Sequence, residues 1–501
     1  MKRAATSLVL TFILMLTMSA QVWAIQENDS CDCAPSGIVL AKDGGYLVTD
    51  IFNKVIWKVA ADGTATHIAG QIGVSDVNGE PIGLLADGTV LTAFFQNPWG
   101  IAPFLNGYLV SEPDAHVIRY VSDTSVQTAA GSGKAGFLNH FGVKAEFSRP
   151  TGLAAGGSGE VYIADTDNGA IRCLAVDGHV STVCTGLSEP TGLFWHDGAL
   201  YVAETGGHCI SVIRQGVRTV LTGFNGAEGY TNGLASAARF RSPMGVAVGG
   251  DGTVYIADTG NGAVRQLRDG VVSTLKRSSD TSAPVRPRSV LPSGSTLLIT
   301  DPFVKNVFTI SLEREKFTDV ESDSWYENAV YAAVERGLFV GIGNRQFAPN
   351  ATTDRTMLAA MISGLQQQLD GDVIITGNAA LTDVEEDAWY SDVSRWTVEL
   401  GIIDAENGVF DPDAPITREE MVTALWKFAK VQGTDTSSVG NELARYQDAD
   451  SISAGARDAM SWAIAKGIIA GVSENELSPQ GTTTRAQMAQ VMIRFMDLQQ
   501  K

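Results

Sequence analysis

Two groups of residues in this 501-residue chain recur at spacings that could do chemistry. The first is a set of six acids, Asp50, Glu112, Asp165, Glu204, Asp258 and Asp301, each ending a short β-rich run such as Tyr162-Ile-Ala-Asp165. Six carboxylates at equivalent places could ring an axis and hold a metal ion. They could instead each end a strand and accept backbone hydrogen bonds from the next turn. The second reading is preferred, because an acid needed in every unit is a requirement of the fold, whereas a catalytic acid is needed once. The second group is Arg355, Arg418 and Arg485, preceded by the capping residues Asp354, Thr417 and Thr484. Thr417-Arg-Glu-Glu420 and Thr484-Arg-Ala-Gln487 are capping-box patterns, so each arginine falls in the first turn of a helix. A guanidinium beside a helix N-terminus suits a carboxylate. Trp325 and Trp389 could present flat apolar faces to a sugar ring or pack in a core, and residue type alone leaves both readings open.

Other reactive residues form no clear site. The histidines at 67, 116, 140, 179, 196 and 208 are scattered, with no metal-binding pair at helical spacing, and no Gly-x-Ser-x-Gly elbow occurs. His196 and His208 share one unit, where a structural role is the ordinary one. Cys31-Asp-Cys33 has one intervening residue and no second pair, which argues against zinc. Cys173 and Cys184 flank the Asp177-Gly178 turn almost symmetrically, so a hairpin there predicts them as the structural disulfide. No cofactor and no metal are expected.

The elements that position these groups repeat. Up to Leu312 the chain runs through Pro-Ser-Gly37, Pro98-Trp-Gly100, Pro150-Thr-Gly152, Pro190-Thr-Gly192, Pro243-Met-Gly245 and a degenerate Pro287-Arg-Ser289, each followed by one of the six acids. Six residues past each acid stands Ile56, Ile118, Ile171, Ile210, Val264 or Val307. Each unit reads as four short strands joined by turns such as Asp251-Gly252. Such sheets bury both faces when stacked radially, which predicts an all-β six-bladed propeller over residues 25–312. The sixth unit supplies three strands, so the segment between Ile25 and Cys33 is expected to close the ring. Residues 1–24, with Lys2-Arg3, an apolar run from Leu8 to Met18 and Val22-Trp-Ala24, read as a secretory signal peptide.

A different unit occupies the remainder. Copies begin at Phe317, Leu381 and Tyr446, with leading aspartates Asp319, Asp383 and Asp448 spaced 64 and 65 residues apart. That period marks a repeat architecture. The expected domains are 317–375, 381–440 and 446–501, mainly α-helical, which makes the whole chain multidomain. The formal charge is −20, and 28 acidic against 13 basic residues fall from Phe317 onward. Such a surface argues against nucleic acid, which needs a basic patch. No membrane span is expected in the mature protein.

With Asp165 to Arg172 and Asp258 to Arg265 as closest matches, the Pro-x-Gly, Tyr-Ile-Ala-Asp, Asn-x-x-Ile-Arg progression resembles NHL repeats. Trp57, Ser211 and Phe308 replace the arginine in the first, fourth and sixth units. The aspartate opening, Trp-Tyr pair, mid-repeat glycine and Thr-Arg motif resemble the S-layer homology family. That resemblance implies a secreted protein held on a bacterial cell wall or S-layer by a wall-linked secondary polysaccharide, commonly one carrying pyruvate ketals. It implies pockets built from Asp319, Trp325, Gly341 and Arg355 in the first copy and from Asp383, Trp389 and Arg418 in the second, where Ala405 replaces the glycine. The third keeps Asp448, Gly471 and Arg485, but Gly455 stands where the aromatic belongs, so the first pocket is ranked strongest and the third weakest. The propeller is expected to bind an unidentified ligand or protein without catalysis. The alternative, a wall-attached lyase or hydrolase acting on sugars or peptides, calls for a metal or a cluster of non-equivalent polar side chains in its channel.

Overall fold

The structure is a computed structural model that describes residues 21–23, 33–224, 226–277, 283–312, 316–370, 375–437 and 441–499. Two compact units are present, Thr17–Arg314 and one formed mainly by Glu315–Lys501. The first is a six-bladed propeller of antiparallel sheets, each at least four-stranded. The third blade shows the common order, Pro150–Ala155, Val161–Asp165, Ala170–Leu174 and Val180–Thr185. Glycine-rich connections add a fifth strand to two blades, Gly88–Thr89 beside Ser125–Ala130 and Gly233–Leu234 beside Val271–Arg277.

The glycine of Pro-x-Gly is required by how closely neighbouring blades approach. A Cβ on Gly37 would lie 2.4 Å from Trp99 O, and one on Gly152 would lie 1.9 Å from Thr191 O. Backbone therefore meets backbone around the inner ring. The core lies between blades: Ile118 and Phe147 pack with Leu153 and Ile163 between the second and third, and Ile171 packs with Leu193 and Val202 between the third and fourth. All six β-branched residues that follow the acids are fully buried.

Two sequence expectations are corrected. The strand that completes the sixth blade is Gln21–Trp23, paired with Val307, Phe308 and Thr309, in place of the segment Ile25 to Cys33. Its β-branched and aromatic residues suit a strand. Residues 1–20 and 24–32, which carry most of the expected leader and Cys31, lie outside the described residues. Cys173 and Cys184 are free thiols. Cys173 faces Ser181 because the turn sets Leu174 opposite Val180, and Cys184 faces Ile171 beyond a bulge between Ile171 and Arg172. Two such positions are diagonal neighbours, too far offset for a bridge. Burial pushes the Cys173 thiol up to about 11.

Among the described residues the second unit holds six α-helices, α1 (Glu327–Glu335), α2 (Arg355–Asp370), α3 (Ser391–Glu399), α4 (Arg418–Val431), α5 (Arg457–Ala465) and α6 (Arg485–Gln499). Each copy contributes two, but packing pairs α2 with α3, α4 with α5, and α6 with α1. The copies thus interlock cyclically. At their centre Thr353 N–H donates to Thr483 O at 2.9 Å, Thr483 N–H to Ile416 O at 3.0 Å, and Ile416 N–H to Thr353 O at 3.1 Å, closing a triangular ring.

Candidate functional site

Each leading aspartate of the second unit clamps a loop of its own copy. Asp319 accepts from Phe347 N–H at 2.8 Å and Ala348 N–H at 2.7 Å, and Asp383 from Phe410 N–H at 2.8 Å and Asp411 N–H at 2.6 Å. Asp448 does the same for Leu477 and Ser478. Burial works against the Asp383 charge, but the bonds from Phe410 and Asp411 outweigh it and hold the carboxyl below its usual range. Gly341 and Gly471 sit under aromatic edges, since an added Cβ would lie 2.8 Å from Phe317 and 2.9 Å from Tyr446. In the second copy Leu381 stands where those rings stand, which matches Ala405 in place of glycine.

The arginines reach into the next copy. Arg418 donates through Nε to Leu477 O and through Nη2 to Ala470 O, both at 2.9 Å. Arg355 contacts Phe410 O and Asp404 O of the second copy, and Arg485 returns to Phe347 O at 2.8 Å and Val340 O at 2.7 Å of the first. The groups assembled by the sequence within one copy are therefore regrouped. Arg485 belongs with Asp319 and Gly341, Arg355 with Asp383, and Arg418 with Asp448 and Gly471. The grouping of Arg355 with Asp319, Trp325 and Gly341 gives way to this one.

The capping pattern is present: Thr417 and Glu420 form a full capping box, and Asp354 accepts from Met357 N–H at 2.8 Å. The helix ends themselves are nonetheless occupied. Arg355 N–H donates to Ala414 O, Arg418 N–H to Gly481 O and Arg485 N–H to Ala351 O at 2.9–3.2 Å, and the next N–H of each helix bonds Pro412 O, Pro479 O or Pro349 O. The interlocking loops fill the place that a carboxylate was expected to take. Two features stay open. Nη1 of Arg355, Arg418 and Arg485 forms no hydrogen bond among the described residues, and Trp325 and Trp389 are 62% and 60% exposed, each set edge-on to the following tyrosine. The tryptophans are surface residues, not core.

In the propeller all six acids are fully buried. Asp165 accepts from Ser148 N–H at 2.7 Å, Asn168 Nδ2 at 2.8 Å and Arg172 Nη1 at 2.7 Å, and Asp258 repeats this with Arg241, Asn261 and Arg265. Where the arginine is missing, other donors replace it. Trp57 Nε1 reaches Asp50 at 3.0 Å, Ser211 Oγ and Arg218 Nε reach Glu204 at 2.5 Å, and Asp301 takes backbone N–H groups from Val285, Arg286, Phe303 and Val304. The acids are clasps of the fold, and among the described residues no group of three or more His, Cys, Asp or Glu is placed to hold a metal.

The inner strands surround an open channel of about 220 Å³, lined by the Pro-x-Gly segments. Its wall contains Trp99, Phe194, Trp195, Met244 and Arg288 but no carboxylate, histidine or cysteine. Sequence reasoning passed over these residues. Their signal was the variable middle position of Pro-x-Gly, which holds Trp99, Met244 and Arg288 in three units and small hydroxyl residues in the others.

Propeller and interlocked triple repeat together define a secreted surface protein associated with the cell wall. The chain carries three S-layer homology domains, matched at residues 316–355, 380–422 and 445–489, and NHL repeats, matched at 147–174 and 240–267. It is similar to the surface-layer 125 kDa protein of Lysinibacillus sphaericus, 29% identical over 176 residues, covering 34% of this chain and 14% of that protein. It is likewise similar to the amylopullulanase of Thermoanaerobacterium thermosulfurigenes, 29% identical over 181 residues, covering 36% of this chain and 9% of the enzyme. The chain thus spans well under a quarter of the length of these curated relatives. The virginiamycin B lyase from Staphylococcus aureus aligns with a TM-score of 0.40 and 15% identity, over 57% of this chain and 97% of the lyase. No helix among the described residues is long and apolar enough to cross a membrane.

Proposed function

We propose that the triple repeat fixes the protein non-covalently to a secondary wall polysaccharide bearing carboxylate groups such as pyruvate ketals, while the propeller is displayed as a binding module. The observation that carries this reading is the pair of exposed indoles, Trp325 and Trp389, at equivalent places of two copies. A large apolar face kept in water at a repeated position marks an interaction site. Beside each copy's glycine or alanine loop lies an arginine whose Nη1 is uncommitted, which supplies a cation for the sugar's carboxylate. The third copy, with Gly455 for the aromatic, is the weakest.

Sedimentation of the full chain with purified sacculi tests the proposal. Wild type should pellet, and chemical removal of the polysaccharide should release it. Trp325→Ala and Trp389→Ala should each weaken pelleting several-fold while leaving the melting transition in place, since substitutions at exposed sites usually change stability by within about 0.5 kcal/mol. Undiminished pelleting of the double variant would falsify the assignment of the indoles.

A further inference from the structure

The propeller channel holds a charge that the fold does not neutralise. Arg288 carries its guanidinium to 4.0 Å from the centroid of the Trp99 ring, two blades away, and its Nη1 donates to Ser36 Oγ at 3.2 Å. Among the described residues it has no ion pair and no other hydrogen bond, so its Nε–Nη2 edge is unused. Burial pulls its pKa down to about 10, against the charge of Asp301, so it remains protonated at neutral pH. Asp301 offers no compensation through contact, because both its oxygens are taken by backbone N–H groups.

Arg288 is only partly exposed, and a cation partly withdrawn from water without a charged partner gains from an anion that compensates it. The rest of the wall says what that compensation is. Trp99, Phe194, Trp195 and Met244 give the wall apolar faces beside Arg288 and the hydroxyl residues Thr191 and Ser289, and apolar faces with a few placed polar groups are the ordinary form of a small-molecule site. The volume of about 220 Å³ exceeds the about 150 Å³ of an apolar cavity that takes benzene, leaving room for a carboxylate group beside a ring.

We propose that the propeller channel binds a small organic carboxylate with an apolar body, its carboxylate accepting from the Nε–Nη2 edge of Arg288 and its body lying against Trp99 and the apolar wall. This deepens the binding role proposed for the propeller and is independent of the anchoring.

Calorimetric titration of the full chain with benzoate is the test, with benzyl alcohol, chloride and inorganic phosphate as controls. Benzoate should bind saturably, and Arg288→Met should weaken it at least tenfold, the scale of a charge-assisted fork. Arg288→Lys, which keeps the charge but loses the fork, should fall between the two. Ligand-free Arg288→Met should melt no lower than wild type, because it removes an uncompensated charge, and benzoate should raise the melting point of wild type alone. Failure of benzoate to bind, equal affinity in Arg288→Met, equal binding of benzyl alcohol, saturation by chloride or phosphate in its place, or a lower melting point for ligand-free Arg288→Met would each overturn the proposal. Sedimentation of the same protein with sacculi reads the anchoring separately, so either reading can fail alone.

Discussion

Replacing Arg418 by alanine separates a structural arginine from a ligand-binding one. The guanidinium joins the second copy to the third through two carbonyls, Leu477 O and Ala470 O, and the residue is only 7% exposed. A hydrogen bond from a charged group contributes about 1.5–3 kcal/mol, and the two lost here are offset in part by the relief of burying the cation. A net loss of about 3 kcal/mol is expected, which for a domain of this size lowers the melting midpoint by roughly 6–12 °C. Circular dichroism at 222 nm of the full chain reads this selectively, because the six α-helices among the described residues lie in the second unit. Arg418→Lys should recover part of the loss, since an ammonium cannot satisfy two diverging carbonyls as the fork does. If Arg418→Ala melts within about 2 °C of wild type yet no longer pellets with sacculi, the arginine serves the ligand and the interlock argument is wrong.

Gly152→Ala should destabilise the propeller by about 3 kcal/mol in urea denaturation followed by tryptophan fluorescence, because its Cβ would meet Thr191 O at 1.9 Å with backbone on both sides. Gly157→Ala, whose nearest neighbour is Trp195 Nε1 at 3.6 Å, is the control, and equal effects would defeat the close-approach explanation. Glu112 supplies a pH dependence: burial pushes its carboxyl up to about 7, against bonds from Asn97 and Gln96 and the charge of Arg119. A folded-state value above the unfolded one of about 4.3 means that its stability contribution is complete below that pH and is lost as pH rises through about 7. The stability of wild type relative to the uncharged Glu112→Gln should therefore fall between pH 4.5 and 8, and a flat difference would contradict the burial argument.

Much of the fold was legible because it repeats. Five Pro-x-Gly blocks with a degenerate sixth, six acids and six β-branched residues in fixed register leave few architectures other than a propeller, and the acids and β-branched residues all prove fully buried. The capping boxes were equally plain, since a cap is a local pattern. What stayed hidden is non-local. Nothing in Thr417-Arg418 indicates that the guanidinium clasps a loop more than fifty residues ahead, or that Arg485 returns to the first copy. The misjudged disulfide has a local cause, the register of one turn: with Leu174 opposite Val180, Cys173 meets Ser181 and Cys184 falls opposite Ile171. The channel residues were hidden for the opposite reason, because attention to what repeats passes over the one position of each block that varies.

Both units solve one problem with one residue type. Long irregular loops present carbonyls that no ladder can pair, and buried carbonyls must find donors. In the propeller, Arg172 donates to Leu138 O and Glu146 O, Arg265 to Thr231 O and Arg239 O, and Arg119 to Ala86 O and Phe94 O, pinning three inter-blade loops. In the triple repeat, Arg355, Arg418 and Arg485 do the same between copies. A planar fork reaches two carbonyls at once and keeps its charge when buried, which lysine does less well. Arg288 departs from this pattern. It meets no carbonyl and no carboxylate, only a hydroxyl and an indole face, so the explanation that accounts for the other arginines does not extend to it. A guanidinium that secures no loop and faces an open channel is what the proposed carboxylate ligand accounts for.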